Sequence, residues 1–382
     1  MIEDDVQVCA VLRHFKSDSP YLAFGDEFWI QELNEKDRKQ LASDLKHFNN
    51  YPYDKHLVCR WYYIGRGKSL SVLRDNTLAL FDPLFTAMRL FKTGHVLMPL
   101  CFYCHRKKWR DMALHGEENY GVGYGLGMGK HLYEFNESDI QPFQDFRAAL
   151  APYLRFLNFC CIPYRKPPES LQTVDMRCLF ATHLFLDTSG QRDNYFLLFD
   201  WVLAYTNGLE SLYLLQSDQK KADNLAARVA VVLGQDEKDE DRLHGIVTQF
   251  YKVRNAVVHG SLLDDAQDEF VQQNIWSYQD ILRKSILAFL DLNRKISSKE
   301  AVVRQLEQAV SSRGLRRTIR ESLALLQSPS DLDLHGSVYF RAIPQQVEQG
   351  RRRQPRPLGV PFRSNFNSKK GFNYAKAQTG KQ

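Results

Sequence analysis

Between Asp193 and Ile296 the chain contains no proline, and apolar residues return at helical spacing throughout. Proline removes a backbone donor and clashes with the preceding turn, so a long proline-free stretch with this period favours consecutive helices. Helices are predicted at 193–216, 221–234, 241–259 and 271–297, separated by polar or glycine-bearing breaks at 217–220, 234–240 and 260–266. A helix at 175–187 is expected to join them, and Lys299–Gln327 reads as a charge-rich helical extension.

The first half has a different texture. Short apolar and aromatic runs recur between turn residues at Tyr21–Ile30, His56–Ile64, Leu78–Phe85 and His95–Tyr103, with helices expected at Glu35–His47 and Ser138–Phe156. The proline-bearing segment Ile162–Glu169 is the natural linker. The expected fold class is therefore α+β: a mixed α/β domain at 1–170, then an all-α bundle at 175–298, a helical extension at 299–330 and a basic, disordered tail at 344–382.

Charge is unevenly placed. From Pro344 onward nine Lys/Arg stand against Glu348 alone, a local balance of +8 that leaves the body near −2 on a whole-chain charge of +6. The body is thus not a basic surface built to coat nucleic acid; such electrostatics sit in the tail, where Arg351, Arg352 and Arg353 are interleaved downstream with aromatic residues and form a candidate RNA-binding segment. No apolar run reaches the roughly 18–20 residues that span a bilayer. The acidic start lacks a signal peptide's basic and apolar regions, so a cytoplasmic protein without membrane contact is expected. Seven scattered cysteines read as reduced, buried thiols rather than a disulfide framework.

On a wheel of about 100° per residue, Leu243, Ile246, Val247, Val253 and Val257 fall within about 60° of Phe250 and form the core stripe of helix 241–259. Thr248, Lys252, Asn255 and His259 gather opposite. Arg254, at the edge of the stripe, lies about 140° from His259, so one undistorted helix would not close both around a small ligand. They would have to converge at a frayed helix end or across an interface with a second copy. Gly260 suits the position just past the helix.

The pattern Tyr251-x-x-Arg254-Asn255-x-x-x-His259-Gly260 at the end of an amphipathic helix resembles the HEPN superfamily, and within it the Apea-like branch. Upstream, the helix running from Asp200 into Leu209-Glu210-Ser211-Leu212 resembles that branch's Leu-Glu-x-Leu element. Leu225–Gly234, with Arg228, resembles its Leu-x-x-Arg-x-Ala-x-Leu-Leu-Gly segment. The resemblance covers residues 190–298 and departs at Asn255, where the branch often carries Ser. Two other places in the chain satisfy an Arg-to-His spacing of this kind, Arg110…His115 and Arg177…His183, but neither has the helix, the upstream elements and the terminal glycine together.

The resemblance implies a metal-independent endoribonuclease without cofactor, working as a homodimer that brings two Arg/His motifs into one cleft. His259 would be the general acid or base at the ribose 2′-hydroxyl, Arg254 would hold the scissile phosphate, and Asn255 would orient His259 or touch phosphate. Glu210, Arg228 and Tyr251 would support the site. RNA cleavage in phage defence or a toxin-like role, with a regulatory protein or phage trigger acting through residues 1–170, is the implied setting. The alternative is a non-catalytic HEPN module for dimerisation and for RNA or protein binding. Plainer roles stand beside these: Arg254 pairing with Glu210, Glu210 forming a structural ion pair with Arg228, and His259 as a capping or surface histidine.

Other patterns carry less. Cys101-Phe102-Tyr103-Cys104-His105 matches a haem-attachment spacing without an export signal, and a zinc site would need the awkward adjacent pair Cys160 and Cys161. The alternating glycines 121–129 end in Gly129-Lys130-His131 and fail the P-loop spacing. No metal is expected.

Overall fold

The computed structural model describes residues 5–12, 14–25, 28–45, 56–63, 81, 83–94, 96, 101–105, 108–112, 132–157, 173–188, 195–296 and 298–327. The expected linker 162–169, the glycine run 121–129, Cys160, Cys161, His115 and the tail with Arg351, Arg352 and Arg353 lie outside these residues. The fold is α+β, with an antiparallel sheet in the N-terminal part and helices after it.

Strands β1 (Asp5–Leu12), β2 (Phe15–Lys16), β3 (Tyr21–Phe24) and β4 (Phe28–Glu32) precede helix α1 (Glu35–Asp44). Strand β5 (His56–Tyr63), helix α2 (83–91), and strands β6 (Cys101–His105), β7 (Lys108–Met112) and β8 (Tyr133–Glu134) follow. Six strands form one sheet in the order β3-β4-β5-β1-β6-β7, with every pairing antiparallel. Strands β2 and β8 make a separate parallel pair.

Successive side chains of a strand point to opposite faces, and β1 shows what that does here. Val6, Val8, Ala10 and Leu12 join the main core, whereas Cys9 and Val11 enter a smaller cluster with Leu41 and Leu45 beneath α1. The run Tyr21–Ile30, read from sequence as one apolar segment, is two strands folded back at Gly25. Of Leu78–Phe85, residues 83–85 belong to α2, whose Leu84, Phe85, Met88 and Phe91 enter the main core together with Phe81. A run of apolar residues this short carries no period that separates strand from helix, and its partners decided the outcome.

The helices are α3 (Ile140–Leu157), α4 (Thr173–Thr188), α5 (Tyr195–Tyr213), α6 (Lys221–Leu233), α7 (Glu237–Val258), α8 (Asp265–Lys295), α9 (Lys299–Val310) and α10 (Arg313–Glu321). Two of them start earlier than their apolar pattern suggests, because capping rather than burial sets the first turn. Asp236 caps α7 by accepting from the Asp239 amide, and Glu237, Asp239 and Glu240 suit the positive end of the helix. Asp264 and Gln267 form a reciprocal capping box at α8. Lys299–Gln327 is not one helix: it breaks at Ser311 and Ser312, and Ser312 caps α10.

Helices α5 and α8 approach closely where α5 has Gly208; a Cβ there would lie 3.0 Å from Leu282 Cδ1. A line of buried hydrogen bonds runs along the same contact. Gln279 donates to the Tyr205 hydroxyl (2.9 Å), Thr206 and Tyr278 share a hydrogen bond (3.0 Å), and Tyr213 donates to Ser285 (3.0 Å). Pairing these polar groups removes the penalty of burying them and fixes the register of the two helices. Phe250 of α7, fully buried, stacks on Tyr278 with ring centroids 4.0 Å apart.

The sheet and the helices share one core, and the described residues pack as one compact unit. Arg283 of α8, 1% exposed, donates to the carbonyls of Leu90 (2.7 Å) and Phe91 (3.1 Å) at the end of α2, and pairs with Asp280 at 2.8 Å. Those carbonyls have no partner within their own helix, so the arginine caps α2 from the other half of the chain. Among the described residues no helix is long and apolar enough to cross a membrane.

Candidate functional site

The last turns of α5 and α7 bring Glu210, Tyr251, Arg254 and Asn255 together. Arg254 Nη2 lies 3.6 Å from Glu210 Oε2, and its Nη1 donates to Asn255 Oδ1 at 3.1 Å. The guanidinium carbon sits 5.8 Å from the Tyr251 ring centroid, a cation–π arrangement. Burial first, then the neighbouring Glu210 carboxylate, pushes the Tyr251 phenol up to about 12. Arg254 Nε is buried without a hydrogen-bond acceptor.

These positions follow from the helix itself. Of the expected core stripe, Leu243, Ile246, Val247, Phe250 and Val253 are buried and Val257 only partly so, while Tyr251 joins the buried face and widens it. Arg254, about 40° from Phe250, falls within that face but near the helix end, where it is half-buried. Both its side chain and that of Glu210 are 23% exposed, so solvent reaches the pair in part.

His259 is the C-cap of α7 and is exposed. Gly260 follows with φ +70°, the left-handed region that a side chain disfavours. The Ser261 amide donates to the Ala256 carbonyl (2.9 Å) and the Gly260 amide to that of Val257 (3.1 Å), the paired bonds of a Schellman ending. Beside the histidine, Val258 is 52% exposed and Leu262 97%. Arg254 is thus turned to the Glu210 side of the bundle and His259 stands at the helix end.

Arg228 does not pair with Glu210. It is 2% exposed and grips Asp218 with Nη1 (2.6 Å) and Nη2 (3.0 Å), while Nη1 also donates to the Tyr213 carbonyl at 3.0 Å. The expected ion pair between Glu210 and Arg228 is therefore corrected: each acid serves a different arginine. Sequence reasoning missed Asp218 because it lies in the turn between α5 and α6, where no helical period assigns it a direction. Its one signal is placement, since the Leu215 amide donates to it at 2.7 Å and makes it the turn's capping residue.

The other Arg-to-His spacings are built differently. Arg110 lies on strand β7, and Arg177 on α4, with the side chain of His183 outside those described. Cys101 and Cys104 stand on opposite faces of β6, three positions apart on a strand, so they cannot ligate one metal together. The five described cysteines are reduced thiols, and among the described residues no three His, Cys, Asp or Glu side chains gather into a ligand set.

At the other end of α7 an open cavity of about 610 Å³ lies between its first turn and α10. Two of its four arginines are committed to packing. Arg316 and Arg320 both grip Glu240, and Arg320 caps the Ala230 (3.0 Å) and Val231 (2.9 Å) carbonyls at the end of α6. No family model matches this chain, and neither a curated protein nor a solved structure matches it.

Proposed function

We propose that this chain is a HEPN-type endoribonuclease that cleaves RNA without a metal. The observation that carries the reading is the partly exposed Arg254 at the end of α7, flanked by Asn255 and Glu210, with an exposed His259 closing the same helix. A partly exposed guanidinium suits a phosphodiester, whose two free oxygens it can hold in a bidentate contact while negative charge builds on them. An imidazole reachable from solvent suits proton transfer at a ribose 2′-hydroxyl.

In the proposed step the imidazole removes the 2′-hydroxyl proton and the 2′-oxygen attacks the adjacent phosphorus. The bond from phosphorus to the 5′-oxygen breaks, and that oxygen takes a proton from a second imidazole that starts protonated. The products are a 2′,3′-cyclic phosphate and a 5′-hydroxyl. Two copies of His259, one from each protomer of a homodimer, would supply the two proton transfers. Arg254 and His259 diverge on one helix, which is why the second copy enters the reading. Cleavage in the cytoplasm during phage infection, or in a toxin-like role controlled by a partner protein, is the setting this reading suggests, with the sheet-bearing part as sensor.

Incubating the purified full chain with total RNA in EDTA tests this, alongside Arg254→Ala and His259→Ala. Cyclic phosphate ends that vanish in both variants support the enzyme; a metal requirement refutes the mechanism. The second reading, a non-catalytic module for dimerisation and RNA or protein binding, draws on the exposed Val258 and Leu262 beside the motif. Absence of cleavage with binding retained would favour it.

A further inference from the structure

Resting on the RNA reading above, we propose that Glu210 is an internal competitor for Arg254. Its carboxylate holds the place that an RNA phosphate must take, and the phosphate binds by displacing it.

The argument begins with an arginine whose donors are incompletely served. Nε and Nη2 form one edge of the guanidinium, the edge that meets a phosphate's two oxygens in a side-on contact. Glu210 stands 3.6 Å from Nη2, beyond hydrogen-bonding distance, and Nε is buried with no acceptor at all. A buried donor left unpaired is costly, so the resting pair satisfies charge without satisfying hydrogen bonding. A phosphate bridging Nη2 and Nε would satisfy both. The other edge is engaged independently, because Nη1 donates to Asn255. The guanidinium can therefore exchange one anion for another without losing its orientation.

The carboxylate is equally prepared to give way. The Tyr251 hydroxyl neighbours it, so a displaced Glu210 has a donor within reach and need not be expelled unpaired into the bundle. Tyr251 itself stays under the guanidinium by its ring contact. The pair thus discriminates by charge: a neutral ligand gains nothing from Arg254, and an anion must hold it better than Glu210 does.

Fluorescence anisotropy with a labelled single-stranded RNA, 2′-O-methylated so that it cannot be cut, tests this on the full chain. Glu210→Gln removes the charge and retains an acceptor for Tyr251. It should bind roughly threefold to tenfold tighter than the unmodified chain at low salt. The gain should vanish when Arg254→Ala is present in both arms. Glu210→Ala, checked by thermal unfolding, gives the same reading if the glutamine variant folds poorly. Equal or weaker binding by the Glu210 variants overturns the proposal, as does binding too weak to measure in every chain. The nuclease reading fails separately: tighter, Arg254-dependent binding without cleavage of ordinary RNA keeps the competitor and discards the enzyme. Arg254-dependent cleavage with unchanged affinity does the reverse.

Discussion

Arg228 reaches from α6 into the turn that precedes its own helix and takes both oxygens of Asp218, at 2.6 and 3.0 Å, with 2% of its side chain exposed. The same guanidinium caps α5 through the Tyr213 carbonyl. One side chain therefore fixes where α5 stops and α6 starts. Arg228→Met should destabilise the fold by about 3–5 kcal/mol, the usual cost of leaving a buried partner uncompensated. Arg228→Lys should recover little of it, since an ammonium cannot reproduce the two-pronged contact. Urea unfolding of the three chains measures this; equal midpoints would refute it. The bond to Arg228, foremost, holds the Asp218 carboxyl below the ordinary aspartate range. A lowered acid contributes stability above its unfolded value and loses it as pH falls through the folded one, so the advantage over Asp218→Asn should shrink below about pH 4.

Lys299 shifts stability with pH in the same direction but in a higher window, and here the folded state penalises the charge instead of favouring it. Its ammonium is buried against the Leu214 carbonyl, and burial first, then the nearby Arg177, lowers it to about 7. The folded state releases this proton before the unfolded state does. The penalty of burying the charge is therefore complete below pH 7 and is relieved as pH rises toward the unfolded value near about 10.4. Relative to Lys299→Met, the unmodified chain should gain stability between pH 7 and 10. Chemical denaturation at three pH values checks it, and a pH-independent difference would show that the lysine keeps its ordinary titration.

At Gly260 a Cβ would meet no neighbour within 4 Å, so the cost of substituting this residue is conformational alone. Gly260→Ala should lose about 1 kcal/mol, and Gly260→Asn less, because asparagine tolerates the left-handed region better. Thermal melts suffice for stability. If RNA is cleaved as proposed, the alanine variant should also cut more slowly, since the histidine before it caps the helix whose ending would shift.

Arg283 offers a test of how the two halves are joined. Arg283→Met leaves the Leu90 and Phe91 carbonyls unpaired and Asp280 without its buried cation, at an expected cost of about 3–5 kcal/mol. Limited proteolysis should then cut the N-terminal part faster than α5–α8. Unchanged cleavage rates would mean that apolar packing alone holds the seam.

The helices from α4 to α8 could be read in advance because burial on one face writes a period into the sequence, as Leu243 to Val253 illustrate. Cap chemistry was legible only afterwards: Asp236 and Asp264 look like loop residues until their amide partners are known. The sheet was harder, since Tyr21–Ile30 and Leu78–Phe85 have similar texture, yet the described residues of the first, apart from Gly25, lie in strands and those of the second are helical. In the candidate site, Arg254, Asn255 and His259 were visible as a motif, and the contact of Arg254 with Glu210 was one of the pairings open to it. The partner of Arg228 was not, because Asp218 gains its meaning from a turn whose geometry exists only once both helices have packed.

The shared core has a thermodynamic consequence. Apolar contacts run unbroken from β1 through α2 and α8 to the final turn at Leu325, whose amide is held by Asp291. Neither the sheet nor the bundle can melt without exposing the other's interior. Calorimetry should therefore find one endotherm with matching van't Hoff and calorimetric enthalpies, and anything that grips the sheet will raise the melting point of the helix bearing Arg254.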